Sequence, residues 1–442
     1  MTNIAVMNTD QLYQVYLQNR VICTDTRQIT PGCLFFALRG ENFDGNLFAE
    51  KALDAGAAYA VIDNKTFKKD NRFILVDEVL IALQNLARHH RRQLTIPFIG
   101  ITGSNGKTTT KELLYSVLSQ HCRTHATTGN LNNHIGVPLT ILSIPENTDI
   151  AIIEMGANHQ KEIEFLCSIC QPTHGIITNV GKAHLEGFGG VEGVKKGKGE
   201  LYEFIDKAQG TVFANSDNYL LMDMLRDRKV QKIVQYGTAE DNFVSGNLIA
   251  NLPYLEIEWH REAMEIDDQM HRCKSNLTGI YNFENIMTAI CIGIYFKLSA
   301  EQVNRGIEEY KPVNNRSQIK VTESNTLICD YYNANPSSMV VAIDNLKAAT
   351  GQNKVMILGD MFELGKESAK EHQQIIEKAK TVDAGKCIFI GEDFYHFRNA
   401  ASDFYKTTTD AYEALKLVPI INSTILIKGS RGMKLELLLE LL

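Results

Sequence analysis

The stretch Pro97-Phe-Ile-Gly-Ile-Thr102 runs straight into Gly103-Ser-Asn-Gly-Lys-Thr-Thr-Thr110, and the residues after it place Leu113, Leu114, Val117 and Leu118 at helical spacing. This reads as a buried strand, a glycine-rich turn and a helix with one apolar face. A chain built from such units folds as a largely parallel sheet with helices on both faces, and its ligands sit at the carboxyl ends of the strands. The strict phosphate-loop pattern G-x-x-x-x-G-K-[ST] asks for glycine at position 101, which here is Ile101, flanked by Gly100 and Gly103. Gly106-Lys107-Thr108 is intact, so the loop still offers backbone N–H groups, a mobile cation and a hydroxyl suited to Mg²⁺, at a helix N-terminus that favours an anion.

Further apolar runs repeat the pattern: Ile150-Ala-Ile-Ile-Glu154, Gly175-Ile-Ile-Thr-Asn179 and Gly210-Thr-Val-Phe-Ala-Asn215. Thr102, Glu154, Asn179 and Asn215 stand at strand ends, where such sheets bind ligands. Before them, residues 1–94 alternate short strands with a helix over about 46–56 and close on the basic stretch Arg88-His-His-Arg-Arg92. After the polar stretch Lys311-Pro-Val-Asn-Asn-Arg316 come four more apolar strands, around residues 326–330, 354–359, 386–391 and 423–428, with helices between them. The expectation is an α/β protein of three domains: a small α/β domain over 1–94, a central P-loop ATPase-type, mostly parallel sheet over 95–312, and a Rossmann-like doubly wound domain over 313–442. No repeat of 20 to 50 residues and no low-complexity tract interrupts it.

With 442 residues, 44% of them hydrophobic, core material is ample. A formal charge of -7 argues against nucleic-acid binding in general, which needs a basic surplus. The N-terminus lacks a basic region followed by an apolar one, and the apolar runs are too short to cross a bilayer, so a cytoplasmic protein without membrane insertion is expected. Nine scattered cysteines suit reduced thiols. Cys167 and Cys170 form a C-x-x-C on a helical stretch, with no second pair at zinc spacing, and read as helix-face cysteines.

Taken singly, several residues have ordinary explanations. Glu154 can solubilise a strand end, His184 in Thr178-Asn-Val-Gly-Lys-Ala-His184 can be a loop hydrogen-bonding residue, and Val194-Lys-Lys-Gly-Lys-Gly-Glu200 looks like a solvated charge run. Their order is what carries information. TGSNGKTTTKE, Thr128-Gly-Asn-Leu-Asn-Asn-His-Ile-Gly-Val-Pro-Leu139, Glu154-Met-Gly-Ala-Asn158, Asn179-Val-Gly-Lys-Ala-His-Leu-Glu186 and Lys198-Gly-Glu200 follow one another as in the Mur ligases of peptidoglycan synthesis, which this chain resembles over nearly its full length.

The resemblance implies an ATP-dependent, ADP-forming amide ligase. By it, Thr108 and Glu154 would hold one Mg²⁺ on the ATP phosphates, and His184 and Lys198 a second, with Lys198 carbamylated to become an anionic oxygen ligand. Gly103, Ser104, Asn105, Gly106, Lys107, Thr108 and Thr109 would cradle the nucleotide. Asn282 and Asn285 in Gly279-Ile-Tyr-Asn-Phe-Glu-Asn285, together with Arg316 and Asp330, would also lie at the ATP. Lys107, His184, Lys198 and Arg316 form the implied catalytic set.

Cys23-Thr-Asp-Thr-Arg27 and Phe43-Asp-Gly-Asn46 resemble the segments that hold the UDP end of the substrate, implicating Thr26, Arg27 and Asp44. Asn130, Asn133, Asn158, Asn333 and Asn335 complete the implied substrate contacts. Tyr332-Asn-Ala-Asn-Pro336 and Leu358-Gly-Asp-Met-Phe-Glu-Leu-Gly365 resemble the family member whose partners are UDP-MurNAc-tripeptide and D-Ala-D-Ala, and the DNPR-type motif of the preceding ligase is absent. Ile427-Lys-Gly-Ser-Arg-Gly-Met-Lys-Leu-Glu436 resembles the family's last motif. Asn46 and Tyr281 stand where the family has His, Asn315 where it has Gly, and Cys329 where it has Asp. A monomer is expected. The alternatives are a ligase of the same superfamily with other substrates, or a non-catalytic relative that binds nucleotide or UDP-muropeptide.

Overall fold

The computed structural model describes residues 6–251, 253–261, 269–313, 315–349, 353–399 and 402–442. The chain packs as two compact units. One comprises Met1–Ile101, Cys122–Ala157 and Glu162–Gly175, and the other Thr102–His121, Asn158–Lys161 and Ile176–Leu442. Both units take residues from the expected 95–312 segment.

The first unit opens with the helix Thr9–Gln18, started by a capping box between Asn8 and Gln11 that satisfies two orphan N–H groups. Strands Ile22–Cys23, Leu34–Phe36, Tyr59–Ile62 and Phe73–Leu75 follow in that spatial order, all parallel. Phe35, Ala60, Ile62 and Phe73 bury their side chains with Ala49, Ala52 and Leu53 of the neighbouring helix. The same unit holds Phe98–Thr102 up to Ile101, paired in parallel with Ile150–Glu154, which pairs in parallel with Thr124–Ala126. Cys167 and Cys170 are buried with their sulfurs 3.8 and 3.6 Å from the Met155 sulfur, and burial pushes the Cys170 thiol up to about 12.

The basic close of the helix Val79–Gln93 is partly interior. Arg91 is 7% exposed, donates to the carbonyls of Cys170, Gln171 and Leu94, and lays its guanidinium 3.7 Å over the Phe98 ring centroid. A buried cation survives here because three carbonyls and an aromatic face replace its water.

In the second unit the helix Lys107–Leu118 packs on helices Asn282–Tyr295 and Ala300–Glu309. Strands Thr211–Asn215, Lys232–Gly237 and Val244–Ala250 are parallel, and Glu256–Arg261 and His271–Lys274 extend them antiparallel. The remaining sheet runs Gln318–Val321, Asn325–Asp330, Ser423–Lys428, Lys354–Gly359, Lys386–Ile390, Asp403–Tyr405, parallel except at its first pair. Ser423–Lys428 is buried at five of six positions. That explains a continuous apolar run where a one-sided sheet would alternate. No helix among the described residues is long and apolar enough to cross a membrane.

In the first unit Tyr13 Oη lies 3.2 Å from His90 Nδ1, while His90 Nε2 is sealed without a partner. Burial, helped by Arg20 and His89, pushes the His90 imidazole down to about 4. The unfolded chain, titrating near an ordinary ~6.5, binds the proton first as pH falls. The stability His90 contributes is therefore complete above about 6.5 and is lost on the way to about 4. His90→Gln should flatten the fall of the thermal unfolding midpoint across that window. Identical slopes in the two proteins would remove His90 as the responsible group.

Candidate active site

The loop between Thr102 and Lys107 is held by side chains rather than by secondary structure. Asn105 donates its N–H to Asn179 Oδ1 (3.0 Å), and its carbonyl accepts from Thr178 Oγ1 (2.5 Å) and Asn179 Nδ2 (3.1 Å). Ser104 donates its N–H to the Asn179 carbonyl (3.0 Å), and Ser104 Oγ accepts from the Gly181 N–H (2.9 Å). Both edges of the loop are thus fastened to the residues after Ile177. The Lys107 ammonium donates to the carbonyls of Gly103 (2.7 Å) and Ser104 (3.2 Å), folded against the loop that it is expected to serve.

Gly106 begins the helix at φ 79, and a Cβ there would stand 2.6 Å from Asn285 Oδ1. Only glycine fits. The close approach puts Asn285 against the loop, where its Oδ1 accepts from Thr110 Oγ1 (3.0 Å) and its Nδ2 donates to Asn282 Oδ1 (2.8 Å). Asn282 in turn donates to the Thr278 carbonyl (2.8 Å). Thr108 and Thr109 are buried in the first turn of the same helix.

His184 sits at φ 52 just before the short helix Leu185–Phe188, and its Nδ1 meets a carboxylate oxygen of Glu363. Desolvation lowers its pKa, Glu363 raises it, and the ammonium groups of Lys107 and Lys198 lower it again. Those three side chains therefore share one electrostatic neighbourhood. Lys198 is on the helix Val191–Lys207 and is only 1% exposed, with Nζ 5.0 Å over the Phe188 ring centroid. Val194–Glu200 is thus not a solvated charge run, because one face of a helix carries Lys198 and Glu200 into the interior. Glu200, also buried, accepts the Lys161 N–H at 2.6 Å.

One further side chain reaches the loop, and other expected residues are engaged with partners of their own. Asn335 caps the helix Pro336–Ala348 through the Ser338 N–H and donates its Nδ2 to Asn105 Oδ1 (2.7 Å). Lys182 Nζ pairs with Glu371 (2.6 Å), and the Lys182 N–H donates to Ser337 Oγ (3.0 Å). Arg316 lies with its guanidinium 3.9 Å over Tyr332, on which Arg431 also sits at 5.3 Å, and Arg316 Nε is buried without a hydrogen-bond partner. Asp330 accepts from Lys428 Nζ (2.7 Å) and from the Ser317 N–H (3.3 Å). Asn333 is exposed.

The departures from the family pattern have local explanations. Asn315 is at φ 56, a left-handed position that asparagine tolerates almost as glycine does, and its Oδ1 accepts from Tyr331 Oη (2.9 Å). Tyr281 hydrogen-bonds Ser317 Oγ, and burial raises its pKa. Cys329 is a core residue. Asn46 is buried and ties Asp44 to the Asp63 segment through four contacts, so it acts as a strut.

The other expected residues belong to the first unit, apart from Asn158, which is exposed. Glu154 ends its strand 1% exposed, accepting from Asn132 Nδ2 (2.8 Å), with its N–H donating to Thr127 Oγ1 (3.0 Å). Asn133 accepts the N–H groups of Ile135 and Gly136 (3.1 and 2.9 Å), and Asn130 is exposed. Thr26 is half-buried, and Arg27 is bidentate on Asp25, which this arginine holds down to about 2. Sequence reasoning named neither Asn132, inside a motif it quoted, nor Glu363, which no spacing rule connects to His184.

Asp360, His372 and Asp393 also bring three ligand atoms within 4.8 Å of one another. His372 Nε2 accepts the Met361 N–H (3.0 Å), and Nδ1–H donates to the Ser368 carbonyl (2.8 Å). Asp360 accepts the N–H groups of Asp393 and Phe394 (3.0 and 2.9 Å). With both imidazole nitrogens and the carboxylate engaged, this cluster is a helix-capping network.

Comparison with known proteins agrees with the motif order. Residues 20–94 match the Mur ligase family catalytic domain, 101–293 the Mur ligase middle domain and 315–431 the Mur ligase glutamate ligase domain. The UDP-N-acetylmuramoyl-tripeptide–D-alanyl-D-alanine ligase of Bacillus subtilis (strain 168) is 35% identical, covering 98% of this chain and 96% of the relative. The crystal structure of MurF from Acinetobacter baumannii superposes with a TM-score of 0.86 at 28% identity, covering 99% of this chain and 98% of that one. MurF from Thermotoga maritima in complex with ADP gives a TM-score of 0.83 at 25% identity over 96% and 97%.

A Cβ at Gly103 would lie 2.0 Å from Thr178 Oγ1, and the residue's φ is 144. Gly103→Ala should therefore keep the fold, read by circular dichroism, while weakening binding of a non-hydrolysable ATP analogue by about tenfold or more, a loss of ~1.4 kcal/mol. Unchanged affinity in calorimetry would show that the loop tolerates displacement.

Proposed function

This chain belongs to the Mur ligase family, and we propose that it is an ATP-dependent ligase joining D-alanyl-D-alanine to UDP-N-acetylmuramoyl-tripeptide, with ADP and phosphate released, in peptidoglycan precursor synthesis. The chemistry is supported by one observation above others: the glycine-rich loop is fastened through Ser104 and Asn105 to Thr178 and Asn179, in the same stretch that carries His184. The choice of substrates rests on near-full-length similarity to ligases of that name.

Making an amide from a carboxylate in water is uphill, so the carboxylate must first be activated. The terminal tripeptide carboxylate attacks the γ-phosphate to give an acyl phosphate, and the dipeptide amine then attacks the acyl carbon and displaces phosphate. The protein's contribution is positioning and charge stabilisation. In this reading the loop Gly103–Thr109 holds the phosphates, with Asn282 and Asn285 bracing it. Lys107 swings from the Gly103 and Ser104 carbonyls onto the transferring phosphoryl group, and Arg316, its Nε still without a partner, adds a second cation. Asp330 orients the nucleotide.

The donor set fits magnesium. By the family resemblance, Thr108 and Glu154 would each give a hard oxygen to one ion, and a carbamylated Lys198 would give anionic oxygen to the other beside the His184 imidazole nitrogen. A lysine at 1% exposure in a family K-G-E position is consistent with such a carbamate, since an exposed amine would serve equally well as a surface charge. The ions, when bound, neutralise charge that develops on the phosphoryl oxygens.

We assign 1–94 to the UDP end of the substrate, through Thr26, Arg27 and Asp44, 95–312 to ATP, and 313–442 to the incoming dipeptide. Asp25 must then share the Arg27 guanidinium with a phosphate. Asn130, Asn133, Asn158 and Asn333 are the further substrate contacts. Asn335, whose side chain is committed to its helix cap and to Asn105, contributes by holding its segment on the phosphate loop.

The test is phosphate release with ATP, Mg²⁺, UDP-MurNAc-tripeptide and D-Ala-D-Ala. Release that depends on the dipeptide is expected, and release indifferent to it would reject the assignment. Lys198→Ala should lower kcat by about 10²-fold or more. Added short carboxylates should restore part of it, and full activity in the variant without them would remove the carbamate.

A further inference from the structure

The loop Gly181–Glu186 is gripped by residues far along the chain. Lys182 pairs with Glu371, itself only 3% exposed, and donates its N–H to Ser337 Oγ. The Glu186 N–H reaches the Glu363 carbonyl (3.4 Å), and the Glu363 side chain meets His184 Nδ1. Two non-glycine residues that meet this way, His184 and Glu363, both hold left-handed backbone, at φ 52 and 62. Each such conformation costs roughly 1 kcal/mol, so surrounding contacts must impose it.

A carboxylate can only accept, so His184 donates from Nδ1–H. The lone pair then lies on Nε2, the ring is fixed in rotation, and Nε2 is more basic for the anion behind it. Glu363 comes from the turn that follows the strand Lys354–Gly359, in the segment assigned to the dipeptide. His184 belongs to the ATP-binding segment.

We propose that Glu363 is a positioning residue that acts through His184, selecting the tautomer and ring orientation for cation ligation, so that the second divalent-cation site is complete only when the Met361–Gly365 turn is docked on the Gly181–Glu186 loop. The proposal rests on the reading of His184 as a magnesium ligand. It makes docking of this turn a condition for activating ATP, which couples arrival of the dipeptide-binding segment to assembly of the cation site.

Mn²⁺ binding tests it apart from turnover. Full-length protein with a non-hydrolysable ATP analogue in bicarbonate buffer is titrated with Mn²⁺, with free ion read by electron paramagnetic resonance. Wild type should bind two ions, and Glu363→Ala should weaken one of them by roughly 10- to 100-fold while sparing the other. Glu363→Gln, which keeps an acceptor without the charge, should fall between. The Mg²⁺ concentration for half-maximal activity should rise in step, with the KM for ATP at saturating Mg²⁺ little changed. Glu363 is 54% exposed at its side chain, so its variants should fold, as an unchanged unfolding midpoint will report. If Glu363→Ala binds both ions as wild type does while His184→Ala loses one, the positioning role is wrong and the ligand role stands. If His184→Ala also keeps both, the ligand role fails and takes the proposal with it.

Discussion

The chemistry assigned to this chain depends on a glycine-rich loop held in one shape at a helix N-terminus. Such a loop does not hold itself, because its backbone has no ladder to join. Thr178 and Asn179 supply one, through three hydrogen bonds to the Asn105 peptide and one to Ser104. With the loop fixed, Lys107, Asn285 and Asn335 all have a defined place to meet it.

A second constraint is the burial of charge. Lys198, Glu200, Glu371 and Lys428 are each below about 6% exposed, a condition that costs several kcal/mol per ion unless partners replace water. Glu371 pairs with Lys182, Lys428 with Asp330, and Glu200 takes a backbone N–H. Apolar residues would pack these positions at less cost. Their presence fits sites where orientation matters more than stability: Glu371 holds Lys182 of the Gly181–Glu186 loop, and Lys428 holds Asp330.

Much of the scaffold was readable from the sequence. The strands Ile150–Glu154, Lys354–Gly359 and Ser423–Lys428 fall at the residues the apolar runs indicate, because sheets covered on both faces need apolar side chains at consecutive positions. The antiparallel extension Glu256–Arg261 and His271–Lys274 was not, since its burial alternates and its residues are mostly polar or charged. The basic stretch ending Val79–Gln93 read simply as polar, and the lysines of Val194–Glu200 as solvated. Arg91 and Lys198 are nevertheless interior, because a helix buries one face regardless of the charge count along its length.

By itself the sequence determined the glycine loop, the alternation of strands and helices, and the order of motifs that marks the family, because these are local patterns or matters of chain order. Only the tertiary structure decided which partners those residues take. Glu363 reaches His184 across 179 positions, Asn335 reaches Asn105 across 230, and Asn132 orients Glu154 from the connection that precedes its strand. A hydrogen bond between distant residues leaves no periodicity to read. It exists only once packing has brought the two side chains within about 3 Å.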